Sequence, residues 1–198
     1  MHKQGNSSAR ILDAALTLFS KKGYEATSTR EICELAGITK PTLYYFFDSK
    51  EGIYRALVQT AFEDYESVIE EGLATAGSLR RKLKRIAELM FERACAKPEL
   101  VRLLFSIVYS VNSPFVQLVQ SSHEGMVVRL YQVVSEAAER EQLSPGDVEV
   151  RMTVLIGALV EAISNYLICG KPALTRELAH SIIDAVFDGW GPRGEESK

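Results

Sequence analysis

The stretch Ser28-Thr29-Arg30-Glu31-Ile32-Cys33-Glu34-Leu35-Ala36-Gly37-Ile38-Thr39-Lys40-Pro41-Thr42-Leu43-Tyr44-Tyr45 decides how this chain is read. Ser28 followed three residues later by Glu31 is a capping box: the serine hydroxyl accepts from the third helical N–H, the glutamate reaches back to the serine amide, and a short helix opens. By spacing, Ile32, Leu35 and Ala36 face inward from it. Gly37 permits the positive φ of a tight helix-to-helix turn, Ile38 fills the corner, and Thr39 caps a second helix whose Pro41 falls in the first turn, where a missing N–H does no harm. Leu43 and Phe47 are the inward pair of this second helix, which leaves Thr39, Lys40, Thr42, Tyr44 and Tyr45 facing out. Two short helices joined through such a turn form a helix-turn-helix. Short hydroxyls, one ammonium and two phenols on the outer face of its second member can bond to phosphates and base edges in a groove about 12 Å wide. The helix N-termini at Ser28 and Lys50 would direct backbone N–H groups toward phosphates on either side. The plainer alternative is a helical hairpin with a solvated polar face.

Outward from this core the pattern stays helical. Ile11, Leu12, Ala15, Leu18 and Phe19 share one face of a helix over about 7–22 that stops at Gly23. Asp48-Ser49-Lys50-Glu51 reads as a second capping box, opening a long helix to about Ala74. Breakers then divide the remainder into helices over about 78–95, 98–109, 114–140, a stretch ending near Cys169, and a last one ending near Gly189. Strict alternation of the kind a half-buried strand shows is lacking. The expectation is an all-α protein of about nine helices: a three-helix helix-turn-helix domain over 1–48, and a helical body over 49–198. The tails 1–6 and 191–198 are polar or glycine-rich and are expected to fray.

Composition narrows the classes. The chain has 198 residues, 46% hydrophobic and 25% charged, with thirteen glycines and six prolines, as an ordinary soluble globule has. Three cysteines (Cys33, Cys95, Cys169) give neither a C-x-x-C pair nor a metal-ligand spacing, which fits a reducing cytoplasm, with Cys33 as packing and buried inert thiols the default for the other two. The net charge is −3, but residues 1–50 hold seven Lys/Arg against five acids, +2, while the remaining 148 carry 16 against 21, −5. Only the head of the chain would be drawn to a phosphate backbone. Ile11–Phe19 is interrupted by Asp13 and followed by Lys21-Lys22, so it does not read as a signal peptide. Met152–Gly170 is long and apolar, yet Glu161 at its centre favours a buried helix of a soluble protein over a membrane span, with no membrane partner. Glu161 thereby becomes the candidate buried charge.

From Arg10 to Leu57, the run Arg-Ile-Leu-Asp-Ala-Ala-Leu, Gly23-Tyr24, Arg30-Glu31-Ile32, Ala36-Gly37-Ile38-Thr39-Lys40-Pro41-Thr42-Leu43-Tyr44-Tyr45 and Ser49-Lys50-Glu51 resembles the DNA-binding domain of the TetR family of transcriptional regulators. The resemblance covers about 48 residues in fixed register. It implies that Ser28 and Arg30 touch the phosphate backbone, that Thr39, Lys40, Pro41 and Thr42 read bases, that Tyr44 and Tyr45 contact phosphate or sugar, and that Lys50 grips a phosphate. Phe46 stands where the family often has His, which removes a hydrogen bond. Pro41 stands where Gly is frequent and offers apolar surface to a thymine methyl. The resemblance further implies a homodimer on a pseudo-palindromic double-stranded operator, and a small molecule whose binding to the body releases the DNA.

The body itself supplies candidates for those roles. Phe62, Tyr65, Phe91, Phe105, Tyr109, Phe115, Tyr131 and Tyr166 are plausible walls of a largely apolar pocket. Leu155, Leu159, Ile163 and Tyr166 recur at helical steps, as do Ile182, Val186 and Trp190, and these stripes are the candidate dimer interface. Neither a cofactor fingerprint nor a metal constellation is legible. His2, His123 and His180 lack a nucleophile at a fixed spacing and read as surface or satisfied histidines, so no catalytic residue is assigned. The leading expectation is a ligand-responsive repressor. The rivals are a helical interaction or carrier protein without DNA binding, which Phe46 and the thin positive charge would permit, and a helical enzyme using the chamber as its active site.

Overall fold

The computed structural model describes residues 2–109, 128–137, 139–140 and 148–188. Among them there are nine helical stretches and no strand. They are α1 (His2–Lys22), α2 (Thr29–Ala36), α3 (Lys40–Phe46), α4 (Lys50–Ala74), α5 (Leu79–Ala96), α6 (Pro98–Val108), α7 (128–137), α8 (Val148–Cys169) and α9 (Arg176–Asp188). Helix α1 begins at His2, five residues before the expected start at 7. Phe115, His123, Trp190 and the tail 191–198 lie outside the described residues.

The termini follow the local chemistry. Gly23, at φ +83, ends α1 with its N–H on the Phe19 carbonyl at 2.9 Å. The Asp48 box is not what opens α4. Ser49 caps it instead, accepting from the Gly52 amide at 3.0 Å, while Glu51 turns to Arg55 at 2.8 Å. With Ser49 as the cap, the third helical position is Gly52, which has no side chain to reach back, so the reciprocal half of a box cannot form. Thr175 similarly caps α9 through the Leu178 amide at 3.2 Å.

By compactness the chain forms two units. The first comprises the described residues of Met1–Tyr65 and Lys97–His123, the second those of Glu66–Ala96 and Glu124–Lys198. In the first unit Ile11 and Phe19 of α1, Ile32 of α2, Leu43 of α3, Ile53 and Leu57 of α4, and Leu103 and Ile107 of α6 form the core, and α6 packs on α1. Each such aliphatic side chain taken from water contributes about 1.5–3 kcal/mol before entropy is counted against it. The second unit is built on α5, α8 and α9, with Leu83, Ile86 and Phe91 facing Met152, Leu155, Leu159, Ile163 and Ile183 across its interior. Gly72 there lies so close to α5 that a Cβ would stand 2.2 Å from Ile86 Cγ1 and 3.1 Å from the Ile86 backbone nitrogen. Helix α8 is long and apolar enough to cross a membrane by length and composition, and one of its faces packs against α5 and α9.

Candidate nucleic-acid interface

The two helices of the motif are held by the contacts their sequence requires. Ser28 Oγ accepts from the Glu31 amide at 3.3 Å while Glu31 Oε2 accepts from the Ser28 amide at 2.9 Å, so both halves of the box are made. Lys22 and the Ser28 donors hold the Glu31 carboxyl down at about 2. Gly37 takes the left-handed conformation (φ 61, ψ 43), and the Arg10 guanidinium of α1 donates to its carbonyl at 3.1 Å, strapping the turn to the first helix. Thr39 caps α3, its hydroxyl bonded to that of Thr42 at 2.9 Å and accepting from the Thr42 amide at 3.4 Å.

The outer face is as the spacing requires. Thr39, Lys40 and Pro41 are exposed, Thr42 is half-buried, and Tyr44 and Tyr45 are 47% and 72% exposed while Leu43 is fully buried beneath them. Phe46 is half-buried with its ring edge-on to Tyr45, 5.0 Å between centroids at 85°, so the residue that replaces a hydrogen-bonding histidine orients a neighbouring phenol. Phe47, expected inward, is half-buried and ends the helix in extended conformation. Ser28 and Arg30 are exposed on α2. Arg30 donates to Glu34 at 2.8 Å, an exposed pair of the kind worth little, which a phosphate would readily displace.

Two expectations in this region are corrected. Leu35 is 55% exposed, because Ile32, Cys33 and Ala36 define the buried arc of α2 and position 35 lies about 110° from its centre at roughly 100° per residue. Lys50, expected to face outward, is turned into the protein: Nζ donates to the Tyr24 carbonyl at 2.9 Å and the Thr27 carbonyl at 3.0 Å and lies 4.1 Å from the centre of the Tyr24 ring. Sequence reasoning missed this pairing, and the Arg10 strap as well, because the partners stand 26 and 27 residues apart and the acceptors are backbone atoms.

The expected pocket residues divide between the two units. Phe62 belongs to the core of the first unit and Phe91 to that of the second, 4% and 1% exposed. In the first unit Tyr65 and Phe105 are half-buried, and Tyr109 is exposed with its ring edge-on to Phe105 at 5.7 Å. Burial pushes the Tyr65 phenol up to about 12, with the Tyr109 phenol adding to the shift. In the second unit Tyr131 lines an open depression with Val128, Gln132 and Ser135, and Tyr166 lies beside Cys95. A cavity of about 30 Å³ there, between Leu79, Leu83, Val134, Arg151, Met152, Leu155, Val186 and Phe187, has room for little more than a water molecule.

The stripe expected at a dimer interface is largely buried within the chain. Leu155, Leu159 and Ile163 are 4%, 4% and 2% exposed, hence core of their own chain, and Ile182 and Val186 are half-buried. The face that α8 leaves open carries Val150, Val154, Gly157, Glu161 and Ile168 at steps of four, three, four and seven. Glu161, expected to be buried, is exposed and accepts from the Asn165 side-chain Nδ2 at 2.7 Å. The buried carboxylate is Glu88 of α5, which bonds to Arg176 at 2.9 Å, to Arg85 at 3.1 Å and to His180 Nε2. Although burial opposes it, those three donors leave the Glu88 carboxyl below its ordinary value. Cys95 and Cys169 are exposed rather than buried, while Cys33 is buried. Among the described residues no group of His, Cys, Asp and Glu could hold a metal ion.

Residues 11–57 match the family of bacterial regulatory proteins named for tetR. The chain is similar to the HTH-type transcriptional regulator YvkB of Bacillus subtilis, 34% identical over 48% of this chain and 49% of that one. It is also similar to IcaR, the HTH-type negative transcriptional regulator of the biofilm operon icaADBC in Staphylococcus aureus, 43% identical over 30% and 32% of the two chains. The matched part thus spans about half, or less, of these relatives. Among solved structures, that of the transcriptional regulator FadR from Bacillus subtilis in complex with stearoyl-CoA superposes with a TM-score of 0.79 at 20% identity, over 92% of this chain and 99% of that one, a likeness of fold.

Proposed function

We propose that this chain, whose residues 11–57 match the family of bacterial regulatory proteins named for tetR, is a repressor that binds a pseudo-palindromic operator as a homodimer and is released by a small molecule. In this reading residues 1–48 bind DNA, residues 49–198 bind the effector and a second copy, the protein works in the cytoplasm, and no reaction is catalysed. The observation that carries it is the outer face of α3: Thr39, Lys40, Pro41, Thr42, Tyr44 and Tyr45 stand on a rod of seven residues with its apolar side anchored by Leu43. Such a rod fits the major groove. Ser28 and Arg30 on α2 supply flanking phosphate contacts.

One copy offers few cations, and a two-fold pair doubles them. The open face of α8, with Val150, Val154, Gly157 and Ile168, supports pairing there. The effector is read as largely apolar, with a hydrogen-bonding group for the phenols of Tyr65 and Tyr109. The neighbour that holds stearoyl-CoA supports an apolar chain as its main feature. A tenfold loss of DNA occupancy requires the effector to favour the released state by about 1.4 kcal/mol.

Duplexes selected by the protein from a random-sequence pool test the reading. An inverted repeat bound with steep salt dependence, and lost on replacing Lys40 and Tyr44 with Ala in a still-folded protein, is the expected result. Binding that is absent, or indifferent to sequence, would favour the carrier reading.

A further inference from the structure

Lys50 is the first residue of α4, where the family resemblance implies a phosphate grip, yet its side chain is half-buried and turned into the protein. Its ammonium has three N–H donors. Two are given to the carbonyls of Tyr24 and Thr27, at 2.9 and 3.0 Å, and the charge sits 4.1 Å from the Tyr24 ring centre. Those carbonyls mark the two ends of the turn between α1 and α2. Tyr24 O also accepts from the Thr27 amide at 3.2 Å, and the Thr27 hydroxyl, on a residue 2% exposed, closes on the Gly23 carbonyl at 2.8 Å. Ser28, the cap of α2, is the next residue, so whatever fixes the Thr27 carbonyl fixes where α2 begins.

The ring beneath the ammonium is itself fixed. Tyr24 meets Tyr54 edge-on at 4.9 Å and Phe19 at 5.7 Å, and Tyr54 meets Phe19 at 5.2 Å and lies beside Ser106 of α6. Helix α1, the turn, the first turns of α4, and α6 therefore meet around one cation. Swinging Lys50 out to a phosphate would forfeit two charge-assisted hydrogen bonds and a cation–π contact, and take from the part-buried Thr27 carbonyl its ammonium donor, in exchange for one solvent-screened ion pair.

We infer that Lys50 is a positioning residue, latching α4 to the α1–α2 turn and so setting the entry of α2 and the pose of the recognition helix, and that it does not neutralise a phosphate. The inference rests on the DNA-binding reading for its consequence. Its geometry can be tested without DNA.

The test compares the full-length wild type with Lys50→Met, which keeps most of the stem, Tyr24→Leu, which removes the ring under the cation, their double variant, and Lys40→Met as a cation on the outer face. Affinity for a duplex selected by the wild type is measured across a salt series, and amide hydrogen exchange over residues 28–32 is measured in the free proteins. A positioning role predicts that Lys50→Met and Tyr24→Leu each weaken binding about tenfold at one salt concentration, that the double variant is no weaker than the worse single, and that the slope of log affinity against log salt stays at the wild-type value. It also predicts faster exchange at the start of α2 in both variants, while Lys40→Met lowers the slope by about one unit. A Lys50→Met slope reduced by about 0.9, with Tyr24→Leu behaving as wild type, would overturn the inference in favour of a phosphate contact. Should Lys50→Met not fold, Tyr24→Leu carries the same comparison. If the wild type selects no duplex the repressor reading fails, and the exchange data alone then decide: wild-type protection of residues 28–32 in both variants overturns the latch.

Discussion

Replacing Gly157 separates what α8 does within one chain from what it does between two. In the chain, a Cβ at this position meets nothing within 4 Å, and the residue lies in the interior of a 22-residue helix. Helix propensity therefore favours Gly157→Ala by about 1 kcal/mol, and Gly157→Leu by nearly as much, when one chain is considered alone. In the proposed dimer the same glycine lies on the open stripe between Val154 and Glu161, where the absence of a side chain would let a partner helix approach. A leucine there inserts four carbons into a packed seam, which costs about 1–3 kcal/mol per copy and so about 2–6 kcal/mol for a two-fold pair. The dimer constant should weaken by a factor of roughly 30 to 10⁴. Sedimentation velocity over a concentration series reads that factor, and urea unfolding of the monomeric fraction at the lowest concentrations reads the propensity gain. Gly157→Leu should be a monomer of undiminished stability. A Gly157→Leu protein that dimerises as the wild type does would refute the assignment of this face to the dimer.

Gly72→Ala should destabilise despite the same propensity gain, by a net of about 1–3 kcal/mol, because its Cβ would stand 3.1 Å from the Ile86 backbone nitrogen as well as 2.2 Å from a side-chain carbon; a urea midpoint at or above that of the wild type would contradict this. Gly37→Ala should lose about 1–2 kcal/mol, since φ 61 is strained for alanine and the new Cβ would stand 2.7 Å from the Arg10 guanidinium. Operator affinity should fall with it, as read by anisotropy at a temperature where the variant is fully folded. Glu88→Gln should cost about 1–2 kcal/mol at pH 7, discounted because Arg176 and Arg85 are partly solvated. The Glu88 carboxyl is depressed below its ordinary 4.5, so its contribution is complete above that pH and is lost as pH falls through the folded value. The gap between wild type and Glu88→Gln should thus narrow below about pH 4.5, and a constant gap down to pH 3 would contradict the assignment.

The helix-turn-helix was legible because its determinants are local: a box at Ser28 and Glu31, a left-handed glycine at 37 and a cap at Thr39 each act within four residues. Where two rules compete within that range the reading slipped, as at Asp48 and Ser49, where the serine took the cap. Long-range pairings were illegible for a different reason. Lys50 bonds to carbonyls, which carry no residue identity, and Glu88 finds Arg176 and His180 across about 90 residues. The α8 stripe shows a third limit. A helix apolar on more than one side gives the same periodicity for its inner and outer faces, so Leu155, Leu159 and Ile163 could not be told from Val150, Val154 and Ile168 by spacing alone. Only the packing of α5 and α9 against one side decides between them. Spacing likewise does not separate pocket aromatics from packing ones: Phe62 and Phe91 fill cores, which is what large apolar side chains do by default.

Groove insertion by residues 39–45 is tested most directly by methylating guanine N7, a major-groove atom, throughout a selected duplex and finding which positions block binding. The account predicts two clusters of interfering guanines, one per half-site, centred a whole number of helical turns apart at about 34–36 Å per turn. Interference that is absent, or that appears only on methylating minor-groove adenine N3, would contradict it.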